Sequence, residues 1–180
     1  MRLMKKHPLL LVEYHSSIRL TAKERKTVDA YLAMASQVFG RLLKTKLVPA
    51  SSKQQFRLSL LICGDARIRR LNHEHRGKDK VTDVLSFPSF AELRRKVPHL
   101  PEVHLGDMAI CFPQAKRQAR EFKIDLWDEF THLYFHGLLH LLGYDHEVSP
   151  KEEKLMQKWE DLALEHFSGI KKGSLSSLSR

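Results

Sequence analysis

Apolar positions along the chain change period several times, and each change marks an element. "LLLVEYHS" (9–16) is a short apolar run that turns polar, the pattern of a strand. Over 21–45, Val28, Leu32, Ala35 and Phe39 recur at steps of three and four, which predicts a long helix. Thr21 and Glu24 have capping-box spacing at its start. A polar loop (47–55) leads to "FRLSLLICG" (56–64), which alternates and then becomes fully apolar: a strand entering a core. A short helix follows (65–75) with Asp65 as its cap, then a charged loop and a strand ended by Pro88 (76–88). The stretch 89–103 carries two prolines and a basic cluster and reads as an irregular surface excursion. Next come a strand (104–112), a helix with Pro113 at its first position (113–122), and a helix apolar on nearly every side (125–142). That last helix must be central. Ser149, Pro150 and Glu152 open a further helix (149–167) as a capping box with proline at N1. The end, 168–180, has the composition of a disordered tail.

Long helices bracket a few strands, and helices dominate the end. The order predicts an α+β fold: a single domain over 1–167, with a small mixed β-sheet covered by helices. A chain of 180 residues suits one domain, and no repeat or linker divides it. Lys and Arg number 31 against 21 Asp and Glu, a formal charge of +10. The excess favours a polyanionic partner such as nucleic acid, although a soluble basic protein without one has the same balance. No run is long enough to cross a membrane, and "LLLV" is too short for a signal-peptide core, so the cytoplasm is the expected location. Cys63 and Cys111 fall in strand-like runs without CxxC spacing and read as small buried hydrophobes.

The central helix carries the candidate chemistry. "HGLLHLLGYDH" (136–146) places His136 and His140 four apart, on one helical face, with Cβ atoms about 5–6 Å apart. Both can reach one ion, each with a nitrogen about 2.0–2.1 Å from zinc. His146 can join them only if the helix stops. Gly143 is where it can, because glycine accepts the left-handed conformation that ends a helix. The metal site is therefore expected at the end of the central helix. A pair at this spacing arises by chance in a chain with 11 histidines; three around a glycine stop is a much more specific pattern.

Three imidazoles leave a fourth position open, the pattern of catalytic zinc, where a bound water is acidified to a pKa of about 7. One zinc ion is the expected cofactor; nickel and copper also accept imidazole. His132, one turn before His136, is assigned to support or packing, and Asp145 to orienting a ligand or capping the turn. The spacing matches H-x-x-x-H-x-x-G-x-x-H of the metzincin peptidases, but Gly137 stands where those enzymes carry their glutamate base.

These residues resemble the bacterial rRNA maturation factor family, the YbeY-type endoribonucleases. "HGLLHLLGYDH" agrees with the family pattern H-G-x-L-H-L-x-G-Y-D-H at every fixed position. "LNHEHRGKDKVTDVLSFP" (71–88) resembles L-N-x-x-x-R-x-K-D-x-x-T-D-V-L-S-F-P, and "LGDMAIC" (105–111) resembles L-G-D-I-x-I-S, with Met108 and Cys111 as departures. The N-terminal third is only loosely similar. The resemblance implies a metal-dependent, single-strand-specific endoribonuclease. It implies action on rRNA, in late 3′-end maturation of the small subunit and in ribosome quality control, with the ribosome or small-subunit assembly proteins as partners. It assigns His136, His140 and His146 as zinc ligands and Arg76 as the basic residue of the active cleft. A guanidinium suits that role, since it can grip a phosphate in a bidentate way.

Lys78, Lys80 and the basic stretches 67–70, 94–96 and 116–123 suit backbone tracking or plain solvation. Phe87 and Phe90 are candidates for base stacking, with core packing the alternative. Two rival functions follow from the same residues: a metallopeptidase-like hydrolase lacking the usual glutamate, and a non-catalytic ribosome assembly factor stabilised by zinc.

Overall fold

The chain runs β1 (Leu10–Ser16), α1 (Ala22–Lys44), β2 (Gln55–Cys63), α2 (Asp65–Arg76), β3 (Val84–Pro88), β4 (Glu102–Cys111), α3 (Phe112–Phe122), α4 (Leu126–Leu141) and α5 (Pro150–Ser177). The computed structural model describes residues 10–50 and 54–177. The strands form one sheet in the order β1-β2-β4-β3. β1, β2 and β4 are mutually parallel, and the short edge strand β3 runs antiparallel to β4. The fold is α+β with a small mixed sheet.

Alternation along β2 decides which face is covered. Phe56, Leu58, Leu60 and Ile62 are buried and join α1, α4 and α5 in the main core. At the far end of the other face, Cys63, Leu85, Ala109 and Cys111 pack with Ile68 of α2 in a second, smaller cluster. α4 is the central helix: Phe130, Leu133, Tyr134, Phe135, Leu138, Leu139 and Leu141 are all buried. Among the described residues no helix is long and apolar enough to cross a membrane.

The helix starts follow the sequence in part. α1 has the expected capping box: Glu24 N–H donates to Thr21 Oγ1 at 3.1 Å, and Thr21 N–H to Glu24 Oε2 at 2.8 Å. Asp65 is not the cap of α2. Gly64 takes that extended position, and Asp65 lies one residue inside, accepting from Arg117 at 2.8 Å and from the Cys111 thiol at 3.2 Å. At α5 only half a capping box forms. Glu152 N–H donates to Ser149 Oγ at 3.3 Å, but the Glu152 carboxylate is taken by Arg94. α5 is also longer than the expected 149–167. Ile170 packs on the main core and Lys171 donates to Asp128 at 2.7 Å, so side-chain ties continue past Phe167. Of the expected tail, 178–180 lies outside the described residues, as do Leu9 of the first strand and 51–53 of the loop after α1.

Candidate metal centre

The end of α4 is built to stop and turn. Leu142 is the C-cap, and Gly143 follows at φ +90°. Tyr144 N–H reaches back to Leu139 O at 3.0 Å, and Gly143 N–H to His140 O at 3.0 Å. These two bonds define a Schellman motif, which satisfies carbonyls the helix would leave open. Tyr144 is buried and its hydroxyl donates to Leu47 O at 2.6 Å, pinning the reversed chain. The Asp145 carboxylate accepts from Glu147 N–H at 2.9 Å, so it caps the turn. His146 is thereby carried back over the last turn of α4.

The three rings converge. Centroids of His136 and His140 are 4.8 Å apart, and that of His146 lies 5.2 Å from each. One ring nitrogen from each lies within 4.8 Å of the other two, and the three could hold a metal ion. The Nε2 atoms of His136 and His140 are 3.2 Å apart. Two nitrogens bound tetrahedrally to one zinc stand about 3.3–3.4 Å apart, given bonds of about 2.0–2.1 Å. The His136–His140 pair therefore already stands at the spacing a small divalent ion needs, with His146 close enough to complete the set. Burial pushes the pKa of His140 down to about 4, with the neighbouring His136 and His146 adding to it. Its ring is neutral near pH 7, the form that ligates.

The sequence reading overlooked Glu160. This α5 carboxylate is buried and lies 2.6 Å from His136 Nδ1. A signal was present: Met156, Ala163 and Phe167 form the inward stripe of α5, and a carboxylate interrupts it at Glu160. His132 stands apart from the triad. Its ring is 6.2 Å from that of His136, and its Nδ1 is 3.9 Å from Glu129 Oε2, a carboxyl whose pKa burial raises.

Gly137 explains the missing base. A Cβ there would meet Met108 Cε at 2.8 Å and Ser86 Oγ at 3.0 Å, and the Ser86 hydroxyl donates to Gly137 O at 3.0 Å. That side of α4 lies against Met108 of β4 and Ser86 of β3.

Arg76 ends α2, exposed, and makes no hydrogen bond or ion pair among the described residues. Its charge contributes to lowering the His140 pKa, so the two are electrostatic neighbours. Much of the remaining basic surface is already paired. Arg69 binds Asp79, Arg94 Glu152, Arg95 Glu92, Lys116 Glu24 and Arg117 Asp65. Those cations tie elements together, and the basic stretches cannot be counted whole as a polyanion surface. Neither stacking candidate is free: Phe87 packs on the smaller core and on the His75 ring at 4.8 Å, and Phe90 packs on the main core.

Residues 20–168 match the family model described as Endoribonuclease YbeY. The Endoribonuclease YbeY of Leptospira interrogans is 43% identical over 124 residues, covering 63% of this chain and 88% of that protein. The one from a Sulfurihydrogenibium species is 37% identical over 133 residues, 74% of this chain and 84% of that protein. Among solved structures, the solution structure of TM1509 from Thermotoga maritima matches with a TM-score of 0.58 at 23% identity, covering 93% of this chain and 95% of that one. That likeness shows the fold.

Proposed function

The chain belongs to the endoribonuclease YbeY family, and on that premise we propose that it is a zinc-dependent endoribonuclease cutting single-stranded RNA. Its place would be in rRNA processing, at the late 3′-end maturation of the small subunit and in ribosome quality control. The partners would be ribosomal or small-subunit assembly proteins in the cytoplasm. The observation that carries the reading is the convergence of His136, His140 and His146 beside an unpaired Arg76.

A divalent ion held by the three imidazoles supplies Lewis acidity at the scissile phosphate. The protein's own groups do the rest. Burial keeps His140 neutral and available as a ligand. Arg76 presents guanidinium donors, fixed in charge, to oxygens that gain negative charge as the phosphate is attacked. The Schellman turn holds His146 over α4, so the pocket is formed before RNA arrives. A peptidase reading has no support at position 137, which carries glycine where a carboxylate base would stand.

Metal analysis and cleavage of a single-stranded oligoribonucleotide test this together. Wild type should carry one zinc and cut. His140→Ala should lose both metal and cleavage. Arg76→Ala should keep metal and thermal stability and cut about 10²–10³-fold more slowly, the usual loss for one charge-stabilising donor. Cleavage by metal-stripped protein, or full activity in Arg76→Ala, overturns the proposal.

A further inference from the structure

We propose that Glu160 is a positioning residue of the metal centre: by accepting the Nδ1–H of His136 it holds that ring in the tautomer whose Nε2 is free to ligate. The inference rests on the metal-dependent reading above. Glu160 is 6% exposed. It sits on α5 between Met156 and Ala163, both almost fully buried, with buried Trp159 alongside. A carboxylate in such surroundings needs a partner. Among the described residues its side chain has one, His136 Nδ1 at 2.6 Å, across the packed pair of helices α4 and α5.

The bond constrains the ring in two ways. In the proposed bond the carboxylate oxygen accepts and Nδ1 carries the ring proton. In a neutral ring the lone pair is then on Nε2, the atom that stands 3.2 Å from His140 Nε2. Without that acceptor the proton is free to move to Nε2, where it blocks ligation. The same bond also fixes the rotation of the ring about its Cβ–Cγ axis. Among the described residues neither His140 nor His146 has a carboxylate at hydrogen-bond distance in this way, so the ring that begins the motif is the one set from outside α4. α5 therefore acts on the site twice in sequence: its N-terminus follows the turn that carries His146, and about three turns in it brings Glu160 against His136.

The rival role for Glu160 is a plain strut holding α5 on α4. A strut and a tautomer lock differ in what they move. Three forms of the full chain serve: wild type, Glu160→Leu, which keeps volume and α5 docking, and Glu160→Gln, which is isosteric and secures a folded variant. Long-range ¹H–¹⁵N spectra of the metal-free chains at a pH where the rings are neutral report the His136 tautomer. Zinc affinity is read by competition with a chromophoric chelator.

Wild type should show His136 protonated on Nδ1, as should Glu160→Gln, whose amide oxygen still accepts, and Glu160→Leu should show the Nε2–H form or a mixture. Zinc binding should weaken about 10–100-fold in Glu160→Leu, the range typical for loss of a ligand's supporting carboxylate, and less in Glu160→Gln. Glu160→Leu with wild-type tautomer and wild-type zinc affinity overturns the inference, even if its melting temperature falls, because that is what a strut alone would do. Failure of wild type to take up zinc overturns the metal-dependent reading and this inference together; uptake unchanged by both substitutions overturns this one alone.

Discussion

Gly143→Ala probes the turn that delivers His146. Two separate costs meet at this position. At φ +90° the backbone is left-handed, which costs a residue with a Cβ about 1–2 kcal/mol. The new Cβ would also stand 2.8 Å from Ala91 O and 3.1 Å from Glu92 Cα. Neither atom is a flexible tip. Both belong to the backbone of the excursion between β3 and β4, which is anchored by fully buried Leu93 and by Arg94 N–H on Leu142 O at 2.8 Å. Overpacking against such a partner costs about 1–3 kcal/mol more. Gly77 separates the two terms. It is also left-handed, at φ +65°, but a Cβ there meets nothing within 4 Å. Denaturant unfolding of chelator-treated protein should therefore cost Gly77→Ala about 1–2 kcal/mol and Gly143→Ala about 2–5 kcal/mol. With metal restored, the zinc-induced rise in Tm should shrink for Gly143→Ala alone, since a displaced turn carries His146 away. Equal destabilisation by the two substitutions would refute the tight seating of the excursion on the turn.

Two more outcomes follow from contacts away from the imidazoles. Arg94 binds Glu152, lies over the Tyr144 ring at 5.3 Å, and belongs to the segment that caps α4, so it connects excursion, turn and α5. Arg94→Ala should lower both Tm and zinc affinity, and adding Glu152→Gln should cost less than the sum of the single changes in a double-mutant cycle. Cys63 and Cys111 have their pKa values raised by burial to about 11 and about 12. Their stabilising effect is complete below the unfolded thiol value of about 8.5 and is lost as pH rises from there through the folded values. Native protein near neutral pH should resist a thiol reagent that labels both residues once denatured, and rapid labelling of the native chain would contradict their burial.

What could be read in advance depended on how local the determining physics is. The capping box at Thr21 and Glu24 needs only neighbours three apart, and it is present in full. Asp65 and Glu152 carried equally good local signals, and both were diverted. Arg117 and Arg94, both distant in sequence, offered each carboxylate a charged hydrogen bond that a helix terminus could not match. The histidine cluster was legible because its grouping is local: a four-residue helical step, a glycine stop and a short return. Its support was not. Glu160 reaches His136 only because α5 docks on α4, a pairing no periodicity reveals. The basic stretches misled in the same way, since counting cations along the chain cannot show that Lys116 and Arg117 are spent on Glu24 and Asp65.

Position 137 joins fold to chemistry. Successive residues on a helix point about 100° apart, so when His136 faces outward its neighbour turns toward the sheet. In this chain that neighbour must be small, because Met108 and Ser86 already fill the space and the Ser86 hydroxyl bonds the local carbonyl. A larger residue here would have to displace the Met108 and Ser86 side chains that pack on this turn of α4. The space beside position 137 is thus taken by the Met108 and Ser86 side chains, and the chain carries no carboxylate there. Besides Asp145 in the turn itself, two groups of opposite charge from other elements act on the three imidazoles: Arg76 from the end of α2 and Glu160 from α5. A cation near the imidazoles suits an anionic substrate, and a carboxylate behind one of them supports that ring from the side away from its neighbours.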